Sequence, residues 1–195
     1  MKNNLVLGLL AIASIALGLW FGLQQQPEST NPYAKLGGDF ELPSDQGPFR
    51  LADHRGRIVV LYFGYTACPD VCITSLNTLN AAMDMLSEDE QKEVTAAFIS
   101  VDVERDDAAK AGQYARYFRP SFVGLSGDAD YTAEIAKRYG VFYEKVQMTD
   151  SAMGYTVDHS SYLYIIGKDG KINSLARHGD TPSTVAEHIR KAVKS

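Results

Sequence analysis

The sequence predicts an α/β fold: a central mixed β-sheet flanked by helices, with an N-terminal β-hairpin and, ahead of it, an N-terminal transmembrane helix. Three observations carry this. From residue 57 onward, apolar runs of strand length alternate with stretches whose apolar residues recur at helical spacing, the order that builds a sheet covered on both faces. The run RIVVLYFGY at 57–65 is rich in β-branched and aromatic residues, as a strand buried on both faces of a parallel sheet must be. The run LVLGLLAIASIALGLWFGL at 5–23 holds no charged residue and approaches the roughly 20 residues a helix needs to span a bilayer.

Taken in order, residues 1–23 read as a membrane anchor. A cleaved signal peptide is the competing reading, but its apolar region is shorter, about 7–15 residues, and no convincing small-x-small site follows here. Lys2 precedes the run and no cation follows until Lys35, so the positive-inside tendency keeps the N-terminus in the cytoplasm and the rest outside. The absence of an Arg-rich, acid-poor leader favours a bacterial cytoplasmic membrane, crossed once, with the domain on its periplasmic side. Residues 24–37, polar and holding two prolines, read as a tether, and 38–195 as the folded domain. Within it, DFEL at 39–42 and FRLADHRG around Phe49 predict a short hairpin, and 57–65 the first buried strand. Ile73, Leu76, Leu79, Met83 and Leu86 lie three and four apart, which predicts one amphipathic helix over 73–91. AAFISVDV at 96–103 is the next strand, and Asp106 and Asp107 suit the start of a helix running to about Phe118. FVGLSG is a short strand, DYTAEIAKRYG a helix closed by Gly140, and VFYEKVQM a strand. SYLYIIGKDGKINSLARHG is a hairpin turning at Asp169-Gly170. Thr181 as N-cap and Pro182 at the first helical position open the last helix.

Composition narrows the function. With 45% hydrophobic and 22% charged residues the domain is globular, and a net charge of -5 without clustered Lys and Arg sets nucleic acid aside. The two cysteines, Cys68 and Cys72, stand in TACPDVC just past the buried strand, where open α/β sheets place their sites. A helix start also stabilises a thiolate there. Outside the cytoplasmic membrane the pair meets an oxidising machinery. A structural cross-link is the weakest reading, because so short a loop constrains little of the unfolded chain. At i and i+4 of a helix the Cβ atoms stand about 6 Å apart, against about 3.8 Å in a disulfide. A metal with thiolate bonds of about 2.3 Å can also bridge the pair, so spacing alone permits thiol exchange and metal binding alike.

Two thiolates make an incomplete metal site, which directs attention to the histidines. His54 in a charged turn and His188 on the polar side of the last helix read as solvated surface, and His178 as a loop residue. His159 lies in a polar turn before an apolar strand, where a ring hydrogen-bonded to its own loop is the commoner arrangement. Asp158 beside it is an acceptor able to orient the ring. Met148 and Met153 are soft groups in the preceding loop, read chiefly as packing. Asp102, Glu104, Asp106 and Asp107 read as helix capping and a docking surface.

Three segments in this order, YFGYTACPDVC, ISVDVERD and DHSSYLYIIGKDG, resemble the Sco (SenC) family of membrane-anchored, thioredoxin-like proteins, and the resemblance covers nearly the whole domain. It implies that Cys68, Cys72 and His159 bind copper, as Cu(I) or Cu(II), and that the protein is a copper metallochaperone delivering it to the CuA site of cytochrome c oxidase during assembly. The implied partners are the CuA-bearing oxidase subunit, another periplasmic copper chaperone and a thiol reductant. Ala67 and Ile73 stand where many members have His and Pro; neither is one of the three ligands. Thiolates suit Cu(I) and imidazole Cu(II), so a site of two sulfurs and one nitrogen accepts either. The competing class is a thiol-disulfide oxidoreductase, in which Cys68 attacks a partner disulfide and Cys72 resolves the mixed species. The CxxxC spacing is less usual for that task, and His159 would be a bystander.

Overall fold

The computed structural model describes residues 31–149 and 154–195. Its elements run β1 (Glu41–Ser44), β2 (Gly47–Arg50), β3 (Ile58–Gly64), α1 (Val71–Asp84), α2 (Glu88–Lys92), β4 (Val94–Ser100), α3 (Ala108–Phe118), β5 (Val123–Leu125), α4 (Ala129–Arg138), β6 (Tyr143–Gln147), β7 (Tyr155–His159), β8 (Tyr162–Ile166), β9 (Ile172–Arg177) and α5 (Pro182–Lys194). Seven strands form one mixed sheet in the order β2-β1-β5-β4-β3-β8-β9. β3, β4 and β5 are parallel, and the two hairpins close the sheet antiparallel at its sides. The expected anchor at 5–23 lies outside the described residues, among which no helix is long and apolar enough to cross a membrane. Residues Tyr33–Ser195 form one compact unit, in which the backbone of Gly37 bridges to Lys171.

β3 lies in the interior of the sheet, between β4 and β8, because its side chains can be buried on both faces, and all of its residues are. Successive residues of a strand face opposite sides. The hydroxyl of Tyr62 reaches the Val71 carbonyl of α1 at 3.4 Å, while the Phe63 ring meets Tyr139, at the end of α4, at 5.6 Å. Helical cover therefore lies on both faces, as the alternation of elements requires. Burying each such aromatic contributes roughly 1.5–3 kcal/mol. Gly170 takes the positive φ of 78° that the β8–β9 turn demands.

Four expectations need correction. The helix read over 73–91 is two helices: α1 stops at Asp84, and Ser87 and Glu90 form a reciprocal capping box that starts α2. Ile73 is exposed, and Cys72 takes the inward position in its place. The strand read at 96–103 is β4, Val94–Ser100, because the chain turns where the Asp102 carbonyl accepts from the N–H groups of Arg105 and Asp106. The VFYEKVQM strand does not join the central sheet; among the described residues β6 pairs only with β7, a strand whose short Tyr155/Val157/His159 alternation reads as a polar turn in the sequence.

Candidate metal site

The parallel register of β3 on β4 pairs Gly64 with Ser100, so both chains emerge at one edge of the sheet and the loops that follow must meet. The Cys68 loop is held at that meeting. The Asp106 carboxylate, fully buried, accepts from the Thr66 N–H at 2.8 Å, the Thr66 hydroxyl at 2.5 Å and the Ser100 hydroxyl at 2.7 Å, and pairs with Lys110 at 3.1 Å. Burial pushes this carboxyl up, but the bonds from Thr66, Ser100 and Lys110 outweigh it and leave it below its ordinary value.

Cys68 lies in the turn before α1 and Cys72 in its first turn. The Cys72 N–H points at Cys68 Sγ, 3.5 Å away, one of the unpaired donors of a helix start. Gly64 makes room behind the pair: a Cβ there would stand 2.8 Å from Cys72 Sγ. His159 closes the group from the end of β7, its Nε2 3.3 Å from Cys72 Sγ. Its Nδ1 lies 3.1 Å from the Ser160 carbonyl, which can only accept, so Nδ1 carries a proton and Nε2 is the ring nitrogen that faces the sulfurs. The orienting acceptor is thus a main-chain oxygen and not Asp158, which is exposed on the other face of β7. The rings of Tyr62 and Tyr65 stand edge-on to His159, each at 6.0 Å.

The three ligand atoms lie within 4.8 Å of one another. Cys68 and His159 line an open cleft of about 320 Å³ with Tyr65, Pro69, Val71 and Ser161, whereas Cys72 is fully buried behind it. The two thiols act on each other in opposite directions. Cys72 pulls the Cys68 thiol down against its burial, helped by His159 and the N–H groups of Cys72 and Asp70. Cys68, through its proximity, its charge and the burial they share, pushes Cys72 up. Two sulfurs beside an imidazole are a soft donor set suited to a thiophilic metal or to thiol chemistry.

The other candidates stand elsewhere. His178 Nδ1 contacts the Ser75 hydroxyl on α1 at 3.3 Å, and His188 contacts Ser174 at 2.9 Å. His54, read as solvated, is half-buried and stacks on Phe49 at 4.6 Å. Met148 is exposed, and Met153 lies outside the described residues. Asp107 is the N-cap of α3, as expected. Reading by sequence missed what Asp102, Arg105 and Asp106 do, and missed Tyr155 altogether. The missed signal is topological: a polar turn leaving one parallel strand must face the loop leaving its neighbour.

Comparison with known proteins agrees with this geometry. A family model described as SCO1/SenC matches residues 28–194. The SCO2-like protein of Rickettsia conorii is 33% identical over 157 residues, 80% of this chain and 76% of that protein. The crystal structure of Arabidopsis thaliana ScoI with copper bound superposes with a TM-score of 0.75 at 32% identity, over 82% of this chain and 98% of that one. Bradyrhizobium japonicum ScoI with copper bound gives 0.72 at 34% identity, over 80% and 99%. These likenesses carry the mixed α/β, thioredoxin-like fold expected from the sequence.

Proposed function

This chain belongs to the SCO1/SenC family, and from that premise we propose that it is a copper metallochaperone. Cys68, Cys72 and His159 hold the cargo as Cu(I) or Cu(II), and the domain delivers it to the CuA site of cytochrome c oxidase during assembly. The segment 1–23 anchors the domain outside a bacterial cytoplasmic membrane through the tether 24–37. The observation that carries the reading is the convergence of two thiols and one imidazole within 4.8 Å, supported by two solved relatives that bind copper. The site can take and release cargo because it is one-sided. Cys72 is buried, while Cys68 and His159 face the cleft, so the ligands of a donor or recipient approach over Pro69 and Ser161 and exchange with those two. A deletion strain grown at low copper tests the function. Its content of assembled oxidase is expected to fall, to recover partly with added copper, and to recover with wild type but not with Cys68→Ala. Normal oxidase content in that strain rejects the proposal.

A second reading has its own observation. Cys68 faces the cleft and Cys72 lies behind it, the arrangement of an attacking and a resolving thiol. In a thiol-disulfide oxidoreductase acting on the cysteines of the oxidase subunit, His159→Ala would keep full activity in cells while either cysteine variant lost it. A metallochaperone loses activity in all three.

A further inference from the structure

We propose that the turn between β4 and α3, residues 102–106, is a positioning device that sets His159 against the cysteine pair, with Arg105 as its grip on the hairpin. The proposal rests on the reading of the triad as copper ligands. Among the described residues β6 and β7 pair only with each other; the His159 end of β7 continues into β8 through Ser160 and Ser161, so the Tyr155 end of the strand takes its place from side-chain attachments. Tyr155, at the start of β7, shares one face of the strand with Val157 and His159. The turn grips it three times. The Arg105 guanidinium lies 3.7 Å from the Tyr155 ring centre, its Nη1 donates to the Tyr155 carbonyl at 3.0 Å, and the Tyr155 hydroxyl donates to Asp102 at 2.7 Å. Arg105 Nε in turn donates to the same Asp102 carboxylate, which is buried. From β6, Lys145 stands 4.9 Å from the Tyr155 ring and pairs with Glu104 at 2.6 Å. Tyr65 adds a bond to Thr156 at 2.7 Å.

The same turn holds the cysteine loop through Asp106 and Thr66, so one short segment sets the span between the sulfurs and the imidazole. Its two halves hold different elements. Asp106, fully buried, is joined to Ser100 of the central sheet, whereas Asp102 and Arg105 hold Tyr155 of the hairpin, and of these Arg105 is the one with part of its side chain, 22%, in solvent. Releasing the Arg105 grip therefore lets the hairpin and His159 withdraw while Cys68 and Cys72 stay. A two-thiolate site remains, which suits Cu(I) and disfavours Cu(II).

The test uses the full chain with Arg105→Gln, and Tyr155→Phe as the milder variant that keeps the ring and loses only the bond to Asp102. Cu(II) affinity is expected to fall about tenfold or more, the usual size for a group that orients a ligand. The thiolate-to-Cu(II) absorption weakens with it, and Cu(I) affinity holds. Tyr155→Phe gives the same split, smaller. In the copper-free chain, amide exchange rises across β6 and β7 and not in β3 or β4. Equal loss of Cu(I) and Cu(II) affinity, or a folded variant with unchanged exchange and unchanged Cu(II) binding, overturns the proposal. If wild type holds no copper, the ligand reading falls, and the exchange result alone decides whether the grip positions the hairpin.

Discussion

At the scale of single residues, the site is set as much by what is small or buried near the sulfurs as by the sulfurs themselves. A Cβ on Gly64 would stand 2.8 Å from Cys72 Sγ, 3.0 Å from the Tyr62 ring and 3.1 Å from Phe98. Gly64→Ala is therefore expected to cost about 1–3 kcal/mol of stability and to weaken binding of both copper states, read by thermal unfolding and by titration. Asp106 makes a pH prediction whose sign follows from its environment. Its folded carboxyl lies below the ordinary value, near 3.9 in an unfolded chain. Its stabilisation is present in full above that value and is lost as pH falls toward the lower folded one. As pH falls below about 4 the Tm of wild type should fall more steeply than that of Asp106→Asn, a variant less stable at neutral pH by about 1–3 kcal/mol; parallel curves would refute this role. The cysteines were legible from spacing and position alone. His159 was not: its strand is five residues long and half polar, so residue-level reasoning favours a histidine bonded to its own loop. Only the resemblance singled it out, and the ring does in fact bond its own loop, through Nδ1, while offering Nε2.

At the scale of elements, periodicity found what packing enforces and missed what capping and pairing decide. β3, α3, α4 and α5 follow their apolar patterns closely because each buries a continuous face. The division between α1 and α2 hangs on Ser87, whose capping box is readable as a Ser followed three residues later by Glu. Ser87→Ala should cost about 1 kcal/mol and leave copper titrations unchanged, since α2 buries no side chain and lies away from the cleft. A loss of copper affinity in that variant would mean that α1 transmits strain to Cys72. The β6–β7 hairpin is the element least legible in sequence, because its attachments, from Asp102 and Arg105 to Tyr155, come from residues far away along the chain.

At the scale of the whole molecule, parallel strands bring two loops to one end of the sheet and a separate hairpin brings His159 to the cysteine pair there. Thioredoxin-like topology thereby makes a site from residues as distant in sequence as Cys68 and His159. If the proposed triad holds copper, its thiols must be thiolates and its imidazole neutral, so copper affinity should decline as pH drops, and oxidation of the two cysteines to a disulfide should abolish it. The measurement that bears most directly on the central claim is an oxygen-free titration of the reduced full chain with Cu(I) and with Cu(II), beside Cys68→Ala and His159→Ala. The predicted result is one copper per chain, with binding abolished by loss of Cys68 and Cu(II) binding selectively weakened by loss of His159. Absence of tight binding by the reduced wild type would contradict the account and leave the cysteines to thiol exchange.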